Sequence, residues 1–194
     1  IYVAINEEHD YLSNYTQIIY DDTKLYTERW KEVLPQLKED TFLFLHEDMV
    51  LFDEVDFGYI QRYYNLVNSG KVDSIKLIYT NSTNPASDID NTLIPSAFSI
   101  QPTLINQKYF VSLLNSVPSL NIWNFEEEVQ SIGNHYMVKL GGEKQRGEYH
   151  CDSKVFPYIA TAINKGKWNM SEYKEELDKL FGKYNINPFD RGIV

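Results

Sequence analysis

The segment richest in chemistry runs from residue 42 to 52: Phe-Leu-Phe-Leu, then His46, Glu47 and Asp48, then Met-Val-Leu-Phe. Carboxylates are seldom buried without a partner, so an acidic cluster set into an apolar run is costly unless something cationic neutralises it. A hard divalent cation, Mg2+ or Mn2+, answers that need with oxygen ligands. The competing reading is an acidic turn between two strands, open to water. The second such segment is Gly141-Gly-Glu-Lys-Gln-Arg-Gly-Glu-Tyr-His150. Three glycines around Lys144 and Arg146 describe a mobile loop carrying positive charge, with His150 just beyond it. A lone histidine is more often structural than a ligand, and Cys151 beside it reads as a small buried residue.

These residues need elements to position them. Short apolar runs alternate with amphipathic stretches, which predicts the α/β class. Strands are expected at 2–5 and 17–20. A helix is expected over 23–37, where Tyr26, Trp30, Val33, Leu34 and Leu37 recur at three- and four-residue steps and Pro35 must kink or end it. The run 41–45 suits a strand buried on both faces, resumed at 50–52. A helix over 55–67 follows, closed by Asn68-Ser69-Gly70. Further strands are expected at 74–79, 97–101 and 136–140. Further helices are expected at 106–115, 124–133, 156–165 and 171–181, with surface loops at 81–95 and 141–149. This order predicts a doubly wound, mostly parallel central sheet flanked by helices. In such sheets ligands lie at the carboxyl ends of the strands, where Asn6, Asp21–Asp22 and the acidic cluster after Leu45 converge.

Composition narrows the partners. The 194 residues are 43% hydrophobic and 24% charged, which suits one soluble domain rather than a disordered chain. Net charge is -10, with 18 Lys and Arg against 28 acids, so the basic face of a nucleic-acid binder is not expected. No apolar run reaches the roughly 20 residues that span a bilayer, and the first residues lack the basic flank of a signal peptide. A single cysteine excludes an internal disulfide and points to a reducing, cytoplasmic setting. The sequons at Asn14, Asn81 and Asn169 are then incidental. The start at Ile1 fits a domain cut from a longer chain. Aromatic content is 14%, with 15 tyrosines, which suits a ligand cleft, an interface or a tyrosine-rich core edge.

The acidic segment resembles the DXD-type motif of GT-A glycosyltransferases, in which an apolar strand ends in acids that bind the metal bridging the donor's diphosphate. Met49 stands where a full triplet would carry its third acid. The resemblance implies a single GT-A, Rossmann-like domain, with a nucleotide-binding half at about 1–80 and a sugar and acceptor half at about 95–194. It implies Asp48 as metal ligand, joined by His150, with Glu47 and His46 near the ribose or a metal-bound water. Ile5, Asn6, Asp21 and Asp22 would face the base and ribose, and Arg29 a phosphate. Gln101 would meet sugar hydroxyls, Trp123 would sit near the acceptor, and Lys144 and Arg146 would cover the diphosphate. Glu126 would be the general base of an inverting reaction, with Glu127 as the alternative; an acid at a helix start is equally explained by the helix dipole. The sequence also resembles the compact glycosyltransferase domain encoded by chloroviruses, large algal viruses, which implies a viral protein of the host-cell cytoplasm.

The activity so implied is metal-dependent transfer of a hexosyl group from a nucleoside-diphosphate sugar, UDP-sugar above all, to a hydroxyl of a glycan or glycoprotein acceptor. Two other readings stay open. A sugar nucleotidyltransferase would carry a glycine-rich basic signature after the first strand, where this chain has the acidic run 6–10. A non-catalytic carbohydrate-binding domain would use the aromatic residues as stacking platforms.

Overall fold

The structure is a computed structural model that describes residues 1–80, 82, 84–146 and 150–194, with Glu143 as backbone only. Sequon residue Asn81 and residues 147–149 of the expected basic loop lie outside the described residues.

Strands β1 (Tyr2–Ile5) and β2 (Thr16–Ile19) pair in parallel, Tyr2 beside Thr16 and Ile5 beside Ile19. Helix α1 (Tyr26–Val33) starts where Glu28 reaches back to accept from the Leu25 N–H at 2.9 Å. It gives way to a single 3-10 turn, Leu34–Gln36, because Pro35 has no N–H to continue an α-helix. β3 (Thr41–Phe44) leads through the acidic turn into the short β4 (Val50–Leu51). α2 (Phe57–Asn68) is capped by the Asp56 carboxylate, which accepts from Gly58 N and Tyr59 N at 3.0 and 3.2 Å. Then come β5 (Ser74–Lys76), β6 (Leu93–Ser96) and β7 (Thr103–Asn106). Asn106 and Asn121 cap α3 (Gln107–Asn115) and α4 (Ile122–Val129). β8 (His135–Val138) precedes a hairpin of β9 (Gly141–Arg146) and β10 (His150–Ser153). β11 (Tyr158–Ile159), β12 (Ile163–Asn164), β13 (Lys167–Trp168) and α5 (Lys174–Tyr184) complete the chain.

The main sheet has the order β3-β7-β5-β8-β6. Only β5 and β8 pair in parallel within it; β3–β7, β7–β5 and β8–β6 are antiparallel. The class is α/β, but the mostly parallel, Rossmann-like core of the GT-A expectation is not what forms. β3 and β5 do run the same way around α2, as a crossover requires. β7 inserts between them in the opposite sense, and β1–β2 form a separate ribbon.

Two local expectations also fail for identifiable reasons. Residues 97–101 are not a strand, because their amides turn to α4: Phe98 N donates to Gln130 O at 2.8 Å and Ile100 N to the Glu126 carboxylate. Residues 156–165 are not a helix. β11 pairs with β4, and β12–β13 form a hairpin whose two-residue turn has Lys165 and Gly166 at φ 49° and 78°. The expected loop 141–149 is strand as far as Arg146.

Alternation in the strands sorts the core. Ile75, Leu77 and Leu104 pack with Tyr63 and Val67 of α2 on one face. Phe44 and Ile105 pack with Leu34, Phe110, Phe125 and Val129 on the other, beneath α1, α3 and α4. α5 closes a third cluster with Ile159, Ala162 and Tyr173. No helix among the described residues is long and apolar enough to cross a membrane.

Candidate active site

At the end of β3 the acidic segment makes a tight turn. Met49 N donates to His46 O at 3.0 Å, and Ala162 N holds the carbonyl of Asp48 at 2.8 Å. Glu47 is exposed and Asp48 half-buried. Burial, reinforced by the neighbouring Glu47 charge, pushes the Asp48 carboxyl above its ordinary range. The His46 ring lies between Tyr26 and Phe44, and burial pushes its pKa down. Its Nε2 is buried without a hydrogen-bond partner.

The sheet carries this polar region inward. Register places Phe44, Thr103, Lys76 and Met137 in one row across β3, β7, β5 and β8, all on the face that α1 and α4 cover. Lys76 is only 8% exposed and Thr103 fully buried. The Thr103 hydroxyl has no partner, and no ion pair forms at Lys76 among the described residues. Burial pushes Lys76 down to about 8, opposed only by the charge of Glu126. On α4, one oxygen of Glu126 accepts from Ile100 N at 2.7 Å. The hydroxyl of Tyr26 is buried beside the Trp30 indole, and burial raises its pKa strongly. The Tyr26 ring stacks on His46, and the charge of Glu126 acts on both Tyr26 and Lys76, so these groups share the α1 and α4 side of the sheet with Thr103.

The residues expected at the nucleotide corner lie around the ends of β1 and β2. Tyr20 N donates to the carbonyl of Ile5 at 2.9 Å, and Asn6 Nδ2 donates to Asp22 at 3.2 Å. Asp21 accepts from the Thr23 hydroxyl at 2.6 Å and from its N–H, which hold its carboxyl below the usual range. Arg29 donates to the carbonyls of Lys24 and Asp22 and lies over the Tyr20 ring, so its guanidinium clamps the turn after β2.

The remaining expected residues scatter. No family model and no curated protein matches the chain. Gln101 accepts from the Tyr158 hydroxyl at 2.6 Å. His150 packs against the Tyr158 ring and meets the Tyr173 hydroxyl at 3.4 Å; burial pushes it down to about 4, and its Nε2 is buried and unpartnered. Among the described residues no three His, Cys, Asp or Glu side chains gather as a metal site. Lys144 is exposed and 3.8 Å from Glu176. Arg146 is buried and spent on Asp152, Glu176 and the Glu172 carbonyl, over the Tyr173 ring. Trp123 is exposed at the start of α4. Glu127, also exposed, lines a groove of about 410 Å³ with Ser96, Ala97, Gln130, Ser131 and Gly133.

Lys76, Thr103 and Tyr26 were not expected at the site. Lys76 had a readable signal, a single charge inside the apolar run 74–79. Tyr26 reads as one more apolar residue on the face of α1, and nothing in the sequence marks Thr103.

Proposed function

We propose that the chain is a metal-dependent glycosyltransferase that moves a sugar from a nucleoside-diphosphate sugar, UDP-sugar above all, to a hydroxyl of a glycan. The observation that carries this reading is the half-buried Asp48 carboxylate beside Glu47, with no lysine or arginine paired to it among the described residues. A carboxylate so placed favours a cation over a proton once one is offered. Mg2+ and Mn2+ bound with phosphates commonly use only one or two protein carboxylates. Asp48, with Glu47, would hold the ion, and when bound it would supply charge neutralisation to the departing diphosphate. The reading rests on these side chains and not on a parallel sheet.

In an inverting reaction the acceptor oxygen bonds to the anomeric carbon, the bond from that carbon to the diphosphate oxygen breaks, and a carboxylate takes the acceptor's proton. Glu127 suits that role better than Glu126. It is exposed on a groove with room for an acceptor, whereas Glu126 is anchored to Ile100 N and faces the buried Lys76. The lone Cys151 fits a reducing compartment such as the cytoplasm.

The test is thermal unfolding with UDP, with and without Mn2+, because a ligand of the native state raises the midpoint. Wild type should gain stability only with both present, and Asp48→Asn should lose that gain while keeping its own midpoint. An equal gain in EDTA contradicts the reading. Trp123 and Phe57, 75% and 77% exposed, favour a second reading as a carbohydrate-binding surface; that reading predicts glycan binding indifferent to nucleotide and metal.

A further inference from the structure

Helix α5 carries an apolar stripe that outruns the core it covers. Leu177, Leu180 and Phe181 recur at three- and four-residue steps and are buried in the cluster with Ile159 and Ala162. Tyr184 continues the stripe one step further but is 61% exposed. Together with Val50 and Leu51 of β4 and Trp168 of β13, this end of α5 bounds an open groove of about 320 Å³, lined only by aliphatic and aromatic residues. Pockets for small ligands begin at roughly 300 Å³, so the groove admits one chain or ring but not a helix. Its aromatic walls carry cations. The Lys183 ammonium lies 5.2 Å from the centroid of the Tyr184 ring, and the Arg191 guanidinium 5.6 Å from that of Trp168. Arg191 is held there by donating to the carbonyl of Gly166 at 3.4 Å. Neither cation forms an ion pair among the described residues. Asp190 is the sole acid in 179–194, and its carboxylate accepts from Asn187 Nδ2 at 2.6 Å.

We propose that this groove binds a free single-chain aliphatic carboxylate, its tail among Leu51, Trp168 and Tyr184 and its head at the rim beside Lys183 and Arg191. The proposal stands independently of the glycosyltransferase reading. Apolar lining left in contact with water favours an occupant that covers it, in proportion to the area removed from solvent. The two cations on the walls fix the sign of the head group. A second copy of this chain is a poor occupant, because a two-fold contact through the groove would bring the same unpaired cations together. The preference is diagnostic, because a chain of net charge -10 attracts cations, not anions, over the rest of its surface.

The experiment is calorimetric titration of the full chain near neutral pH with decanoate, decanol and decylammonium, each below its micelle-forming concentration. Wild type should bind one decanoate per chain, roughly tenfold more tightly than decanol, since two exposed cations contribute about that much. Decylammonium should bind more weakly than either. Added salt should weaken decanoate binding and leave decanol unaffected. The double variant Lys183→Glu, Arg191→Glu should reverse the order and take decylammonium at the same single site. Leu51→Glu, which sets a carboxylate on the groove wall, should lower decanoate affinity at least roughly tenfold. The head-group series on wild type decides the matter even where a variant fails to fold. The inference is overturned if decanoate does not bind, if decylammonium binds wild type as tightly, or if the reversed variant still prefers decanoate. Binding to phosphatidylserine vesicles without binding of free decanoate assigns the face to a membrane and overturns it as well. So does sedimentation of wild type as a dimer that Leu51→Glu dissociates.

Discussion

Lys76→Met should make the protein more stable, and by an amount that depends on pH. Methionine keeps the length and apolar stem of lysine but removes the ammonium, which is almost entirely buried and has no ion-pair partner among the described residues. The fall of the Lys76 pKa from 10.5 to about 8 corresponds to a cost of roughly 3 kcal/mol at pH 7 for keeping the charge inside. The sign follows from proton counting. Between the two pKa values the unfolded chain holds the proton and the folded chain has released it, so wild-type stability rises with pH across that window. The cost is full below pH 8 and shrinks to under about 1 kcal/mol at pH 10. Urea unfolding, followed by tryptophan fluorescence, should place Lys76→Met about 3 kcal/mol above wild type at pH 7 and nearly level with it at pH 10. In thermal unfolding at pH 7, the same difference is about 10 °C for a chain of this length. A variant no more stable than wild type at pH 7, or a gap that stays constant with pH, refutes the argument. The comparison needs no ligand, so it tests the buried charge alone.

Glu127→Gln should lower kcat by about 10²- to 10⁴-fold in a glycosyltransfer assay, with the affinity for UDP unchanged, as expected for loss of a general base. Arg146→Met should cost about 3–5 kcal/mol in chemical denaturation, because Asp152 and Glu176 would lose their buried cation. Burial is the largest single influence on Glu176 and works against its charge, yet the Arg146 hydrogen bond, a backbone N–H and the Arg146 and Lys144 charges together hold that carboxyl below its ordinary range. The stabilisation is therefore present at neutral pH and lost as pH falls through the acid range, and an acid-unfolding midpoint should move up in the variant. Gly141→Ala should destabilise by roughly 1–3 kcal/mol in thermal unfolding, since the added methyl would collide with the Tyr79 ring.

Some elements were legible because one local signal dominated them. The three- and four-residue steps of Tyr26, Trp30, Leu34 and Leu37 mark the helical region that packs on the second core cluster, and Pro35 marks where α1 stops. The run 41–45 appears as β3 and the Asn68-Ser69-Gly70 stop as the end of α2. Sheet sense was not legible. The antiparallel entry of β7 between β3 and β5 is fixed by pairing between Thr41 and Asn106, residues far apart in sequence. Residues 97–101 alternate as a strand should, but their donors are claimed by α4. At the site, Asp48 and Glu126 stood out by type and spacing. Arg146 stood out as well, but a basic residue between glycines looks the same whether it faces solvent or, as here, an internal carboxylate pair. The Lys76–Thr103 row exists only once β5 and β7 are in register.

The guanidinium of Arg146 joins Asp152 on its own hairpin to Glu176 on α5, with the Tyr173 ring stacked over it. Shortening the protein to end before Tyr173 would strip this cation of one carboxylate and its aromatic cover, and would uncover Ile159 and Ala162 as well. The last helix therefore behaves as a fastening for the hairpin rather than as a trailing appendage. A trimmed form should aggregate where the intact one stays monodisperse.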